Sequence, residues 1–148
     1  MKPENISVFP MGEKNEAFAQ YFVGQSYLNM LSTERVTIGN VTFEPGCRNN
    51  WHIHQADKGG GQILICVGGR GYYQEWGKEA QELHPGDVVH IPAGVKHWHG
   101  AAPDRSGRRR PLAACVLSAP APGRPMSAPP GACRAATPCC SRSGRLAC

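Results

Sequence analysis

After residue 103 this 148-residue chain contains no aromatic residue, no lysine, no histidine, no isoleucine, no asparagine and no glutamate. Before it, no run approaches the roughly 18 apolar residues of a transmembrane helix, which excludes a helical membrane span. No apolar stretch follows Met1-Lys2-Pro3-Glu4-Asn5, so a secretory leader is not expected and the expected location is cytoplasmic. In that compartment the seven cysteines would stay reduced. Long helical periodicity is missing too; Asn15–Gln20 is the one short segment that offers a helical start. A phosphate-binding loop is also absent. Gly68-Gly69-Arg70-Gly71 reads as a hairpin turn, without the strand and helix that a nucleotide site needs.

The net charge of +5 suggests a nucleic-acid partner until it is mapped. Residues 1–103 carry eight Lys and Arg against ten acids, whereas residues 104–148 carry eight Arg against the single acid Asp104. The basic excess therefore belongs to the tail, and neither a nucleic-acid nor a membrane partner is expected for the rest. Five of the seven cysteines (Cys115, Cys133, Cys139, Cys140 and Cys148) and seven of the 13 prolines lie in this tail. Such a composition offers too little apolar surface to offset its ordering entropy, so residues 104–148 are expected to be disordered. A basic tail for an acidic partner and a Cys-rich metal or redox appendage are two readings of it. The preferred third reading is a shifted reading frame, because Ala, Arg, Pro, Gly, Ser and Cys are what a GC-rich gene yields out of frame.

Residues 1–103 form the one expected domain, and they read as short strands punctuated by Gly and Pro. The expected strands are Tyr21–Val23, Ser26–Leu31, Val36–Phe43, Trp51–His54, Gln62–Val67, Tyr72–Trp76, Ala80–Leu83, Val88–Ile91 and Lys96–His99. Gly77-Lys78 is the tight turn between two of them. Many short strands at this spacing indicate an all-β sandwich or barrel.

Chemistry concentrates in two His-x-His pairs, His52/His54 and His97/His99. Residues i and i+2 of a strand share a face, so each pair can aim two imidazoles into one cavity. Gln62 opens the next apolar strand on the face of Leu64 and Cys66. Imidazoles with an amide oxygen suit a divalent transition metal, with coordination positions left open for a substrate. His84 and His90 stand alone and read as ordinary surface or core residues. Trp51, Tyr72, Trp76 and Trp98 read as core aromatics in preference to pocket walls. Lys96 reads as a solvated rim residue, Glu75 and Glu79 as solvent-facing, and Cys47 and Cys66 as small buried residues.

The turns around these pairs carry a resemblance. Gly46, five residues and His52-Ile53-His54 match the first half of the first cupin motif. Gly86, five residues, Pro92, one residue, Gly94, two residues and His97 match the second. The chain resembles the small single-domain bacterial cupins over residues of about 20–103. That implies a double-stranded β-helix, or jelly-roll barrel, left incompletely closed if the closing strands are lost to the tail. Leu112–Leu117 only weakly resembles such a strand. Two positions depart from the family: the amide Gln62 stands where a Glu is usual, and Ala101 where an Asn is frequent.

The runs Asn49–His54, Gly59–Leu64, Tyr73–Lys78 and Val95–Gly100 look like the cupins that include manganese-dependent hydroxynitrile lyases, in which a Gln supplies the oxygen ligand. This resemblance implies His52, His54, Gln62 and His97 as metal ligands and His99 as the catalytic base, since an imidazole titrates near neutral pH. It implies manganese or iron first, with zinc or nickel also accommodated, and a small-molecule substrate. It further implies a homodimer or higher homo-oligomer. The implied reaction is cleavage or formation of a cyanohydrin with the metal as Lewis acid. A metal-dependent dioxygenase or isomerase, and a non-catalytic metabolite-binding cupin, remain the alternatives.

Overall fold

The structure is a computed structural model that describes residues 4–57, 59–103 and 111–118. Eleven antiparallel strands are present among the described residues: β1 (Glu13–Lys14), β2 (Phe22–Val23), β3 (Ser26–Ser32), β4 (Thr37–Phe43), β5 (Arg48–Asn49), β6 (Gln62–Gly69), β7 (Gly71–Glu75), β8 (Gln81–Leu83), β9 (Val88–Ile91), β10 (His97–Ala101) and β11 (Leu112–Ser118). A single 3-10 turn, Ala19–Tyr21, replaces the helical start expected at Asn15–Gln20. Among the described residues there is no α-helix, and no helix long and apolar enough to cross a membrane.

The strands form two sheets, in the orders β1-β3-β4-β11-β6-β9 and β2-β5-β10-β7-β8. Strand β6 shows why they pack. Its residues alternate between buried and more exposed along Gln62–Gly69, so Gln62, Leu64 and Cys66 share the inner face. The core draws on both sheets: Phe43, Leu64, Ile91 and Leu112 from one meet Leu83, Tyr73 and Cys47 from the other side. Each fully buried Leu or Ile contributes about 1.5–3 kcal/mol of burial free energy. No strand pairing joins the two sheets into a closed barrel among the described residues.

Two sequence expectations are corrected here. Gly68-Gly69-Arg70-Gly71 is not a hairpin turn, because β6 and β7 belong to different sheets. The chain turns a corner at Arg70, and Gly69 makes the corner at φ 79°, with its missing Cβ giving room to the Pro111 carbonyl. The composition break near residue 104 does not end the sheet either. Strand β11 lies beyond it and pairs with β4 on one side and β6 on the other. Leu112, Ala113 and Ala114 are all fully buried, so both faces of the strand are covered at its start and it need not alternate there. Residues 104–110 and 119–148, with the readings offered for them, lie outside the described residues.

The turns that deliver the histidines behave as the motif requires. Gly86 and Gly94 adopt φ 99° and 84°, and an added Cβ would meet nothing within 4 Å at either. Glycine is needed there for its backbone conformation, not for space.

Candidate metal centre

His52 and His97 come together through the backbone. They form an isolated antiparallel bridge in which each N–H donates to the other's carbonyl at 3.0 Å. Residues opposite one another across two strands place their side chains on one face, and the two imidazole centroids are 4.2 Å apart. The expected strand Trp51–His54 is thus reduced to this one bridge. His54 follows two residues on, where its carbonyl is anchored by the Gly94 N–H at 2.9 Å. Each of His52, His54 and His97 has a ring nitrogen lying within 4.8 Å of the other two. Gln62, buried at the start of β6, reaches the same point from the other sheet, with Oε1 3.3 Å from His97 Nε2.

The hydrogen bonds around the rings decide which nitrogen is free. His52 Nδ1 faces the Asn50 carbonyl at 2.9 Å, and His97 Nδ1 faces the Val95 carbonyl at 3.0 Å. A carbonyl only accepts, so both Nδ1 atoms carry the proton and both Nε2 atoms present a lone pair. His97 Nε2 and Gln62 Oε1 are then two lone-pair atoms facing each other at 3.3 Å. His54 Nε2 is buried and has no hydrogen-bond partner among the described residues. The lone pairs of His52 and His97, the unpartnered His54 Nε2 and the Gln62 amide oxygen lie around one point, and lone pairs that face one another there repel unless a cation lies between them. The residues present therefore fit a divalent metal.

Electrostatics keep the donors neutral. Burial pushes the His54 and His97 imidazoles down to about 4, with the neighbouring imidazoles adding to the effect, and burial lowers His52 as well. Neither Cys47 nor Cys66 competes as a ligand. Cys47 and Cys66 are buried small residues, as expected, and burial pushes the Cys47 thiol up to about 12. Ser118 of β11 accepts a 3.5 Å hydrogen bond from Gln62 Nε2, which leaves the amide oxygen turned towards His97.

His99 sits behind the three imidazoles, fully buried, edge-on to Phe43 at 5.6 Å. The base role implied for it does not match its hydrogen bonds. Asn49 Oδ1 accepts from the His99 backbone N–H at 2.8 Å, which orients the amide, and Asn49 Nδ2 then donates to His99 Nε2 at 2.9 Å. The proton is therefore on Nδ1. His99 presents an N–H, not a lone pair, and that Nδ1 has no partner among the described residues.

The centre forms part of the wall of a cavity of about 400 Å³. Phe18, Phe22, Leu28, Val41, Phe43 and Trp51 give it apolar walls, and His52, His54, Gln62 and His99 give it a polar patch. Of the aromatics read as core, Trp51 lines this cavity, and Trp76 is 62% exposed with Lys96 Nζ 3.8 Å over its ring. Glu75 is half-buried, not solvent-facing, and accepts from Tyr73 Oη at 3.1 Å. Sequence reasoning missed Asn49, Ser118, Asn15 and Tyr21. Only Asn49, three residues before His52, carried any local hint.

Comparison with known proteins agrees with this geometry. Residues 39–108 match the cupin domain family Cupin_2. A cupin-like protein from Thermotoga maritima is 42% identical, superposes with a TM-score of 0.66, and is matched over 76% of this chain and 80% of its own. The chain belongs to the cupin family. A further cupin-fold neighbour is the DMSP lyase DddQ from Ruegeria pomeroyi, with a TM-score of 0.52 at 21% identity over 75% of this chain and 53% of that one. That likeness shows the fold alone. Among curated proteins, an (R)-mandelonitrile lyase of Granulicella tundricola is 53% identical over 64 residues. The match covers 43% of this cupin and 46% of that enzyme's length, so it spans less than half of the relative.

Proposed function

We propose that this cupin is a metal-dependent lyase that forms and cleaves cyanohydrins, with manganese or iron held by His52, His54, Gln62 and His97. The observation that carries the reading is the convergence of four neutral lone-pair donors on the wall of an apolar cavity. The partial likeness to a mandelonitrile lyase supports the reaction class. A ligand set without a carboxylate leaves the charge of a bound divalent ion undiminished, and the ion would supply Lewis-acid polarisation of a carbonyl oxygen.

The chain's own residues supply the rest. The aromatic walls hold the organic body of an aldehyde and exclude water. In the direction of addition, the cyanide carbon bonds to the carbonyl carbon, and the carbonyl π pair moves onto oxygen. That oxygen takes up the proton derived from hydrogen cyanide. His99, behind the metal-facing histidines with its Nδ1–H buried, would act on that growing charge through the imidazoles in front of it and not by direct contact. Asn49 keeps the donor form in place. Cleavage follows the same path in reverse.

The test is elemental analysis of the purified full chain, followed by release of benzaldehyde from mandelonitrile. One manganese or iron per chain is expected, with turnover lost together with metal in His52→Ala. His99→Ala is expected to keep the metal and lower the rate about 10²-fold. A chain that binds no metal, or that turns over mandelonitrile equally well after chelation, overturns the proposal.

A further inference from the structure

The cavity is larger than a one-ring substrate needs. A cavity of about 150 Å³ with apolar walls already takes a benzene molecule, whereas this one measures about 400 Å³. Its floor shows where the surplus lies. Strands β6, β11, β4 and β3 follow one another across the larger sheet. Gln62 of β6 pairs with Ser118 of β11. Two residues back along β11, on the same face, Val116 pairs with Gly39 of β4, and Gly39 pairs in turn with Met30 of β3. All five line the cavity. Three strand spacings separate Gln62 from Met30, so the floor runs about 14 Å away from the amide oxygen at the histidines. Met30 is 43% exposed, so the far end opens to solvent.

Gly39 lies in the middle of that floor and leaves it bare. Its backbone does not ask for glycine, because its φ lies outside the left-handed region. The irregularity beside it falls between Met30 and Ser32, on β3 and not on β4. Apart from its chain neighbours, an added Cβ would meet two atoms within 4 Å: Leu28 Cδ1 at 3.1 Å and Met30 Sδ at 3.6 Å. Both belong to flexible side chains that line the cavity themselves. Glycine inside a strand costs stability, and one that neither turns the chain nor admits another backbone leaves room for a ligand. We propose that the cavity takes an aldehyde, or its cyanohydrin, built on two aromatic rings, with the carbonyl oxygen at the histidines and the second ring over Gly39, between Val116 and Met30. The proposal rests on the reading of this cavity as the substrate site and names its substrate class. Phe18, Phe22, Phe43 and Trp51 offer faces and edges to aromatic rings. A rigid pair of rings also loses fewer rotamers on binding than an alkyl chain of equal size. No Lys, Arg, Asp or Glu lines the cavity among the described residues, so the second ring carries no charge.

The test is calorimetric titration of the full chain, manganese-loaded and again after chelation, with benzaldehyde, 2-naphthaldehyde and 4-phenylbenzaldehyde. At least one two-ring aldehyde is expected to bind about ten- to a hundredfold tighter than benzaldehyde. In Gly39→Val, whose side chain stands where the second ring would lie, the ratio of the two dissociation constants is expected to fall to about one. Gly39→Ala adds a single methyl group, is expected to lower the ratio part-way, and remains informative if Gly39→Val fails to fold. The inference is overturned if neither two-ring aldehyde outbinds benzaldehyde, or if the preference is undiminished in the folded variants. Cyanohydrin turnover separates the two readings. Metal-dependent cleavage of mandelonitrile without a two-ring preference keeps the lyase and removes this substrate class. A two-ring preference that the Gly39 variants lose, with no metal-dependent cleavage of mandelonitrile or of the two-ring cyanohydrins, does the reverse. If no aldehyde binds, both readings fall.

Discussion

Replacing Gly100 by alanine tests whether the site depends on how closely two strands approach. An ideal Cβ on Gly100 would lie 2.4 Å from the Cys47 carbonyl oxygen and 2.5 Å from Arg48 Cα, both backbone atoms of the β5 region. Ordinary contact requires about 3.5 Å, so β5 must retreat from β10 by about 1 Å. Three hydrogen bonds span that gap: Ala101 N–H to the Cys47 carbonyl at 2.8 Å, and the pair between Asn49 and His99 at 2.8 and 2.9 Å. A retreat of about 1 Å takes all three beyond useful length. Overpacking costs about 1–3 kcal/mol and each lost bond about 1 kcal/mol more, which places the total at about 4–6 kcal/mol. With a urea slope of about 2 kcal/mol/M, the midpoint falls by about 2–3 M. Urea unfolding of the chelated protein, followed by tryptophan fluorescence, measures this. Gly86→Ala is the control, because its Cβ meets nothing within 4 Å and only its φ of 99° is strained, at about 1–2 kcal/mol. Gly100→Ala costing no more than Gly86→Ala would refute the close-approach argument.

Acid should weaken the metal-free protein in a defined window. His54 and His97 are held at about 4 when folded and take a proton near 6.5 when unfolded. Between about pH 6.5 and 4 the unfolded chain binds protons that the folded chain refuses. Stability therefore falls as the pH drops through that range and does not change on their account above it. The urea midpoint is expected to be lower at pH 5 than at pH 7, with a smaller difference in His54→Asn. An equal midpoint at both pH values in the parent would contradict the assignment. The state of His99 can be read by nitrogen NMR of the imidazole. The parent is expected to carry its proton on Nδ1, and Asn49→Asp, whose carboxylate only accepts, should put a proton on Nε2. A parent His99 protonated on Nε2 would remove Asn49 from the account.

Much of this was legible because β-structure writes its geometry into short spacings. The His-x-His pairs, the motif glycines and the period-two pattern from Gln62 to Cys66 are local, and the structure places the glycine turns and the burial of Gln62 as read. What stayed hidden was long-range. Nothing near Asn49 announces a partner 50 positions later in His99, and Ser118 stands 56 residues from the Gln62 it meets. Strand β11 was expected only weakly, since the strands that flank it, β4 and β6, lie far back in the chain. The corner at Arg70 was misread for a related reason. Glycines announce a sharp change of direction but not whether the next strand returns beside the last or leaves for the opposite sheet.

Strand β11, the last among the described residues, also governs when their fold can be finished. Strand β11 lies between β4 and β6, and Leu112 pairs with Phe43 and Gly69, both made long before it. During synthesis, β4 and β6 can fold against their other neighbours early, but a slot between them stays open until residue 118 has emerged. Through that interval two rows of unpaired backbone groups are exposed side by side, an invitation to any extended segment nearby, including one from another nascent copy. A late strand that both completes the sheet and brings Leu112 into the core makes the finished fold wait on its arrival.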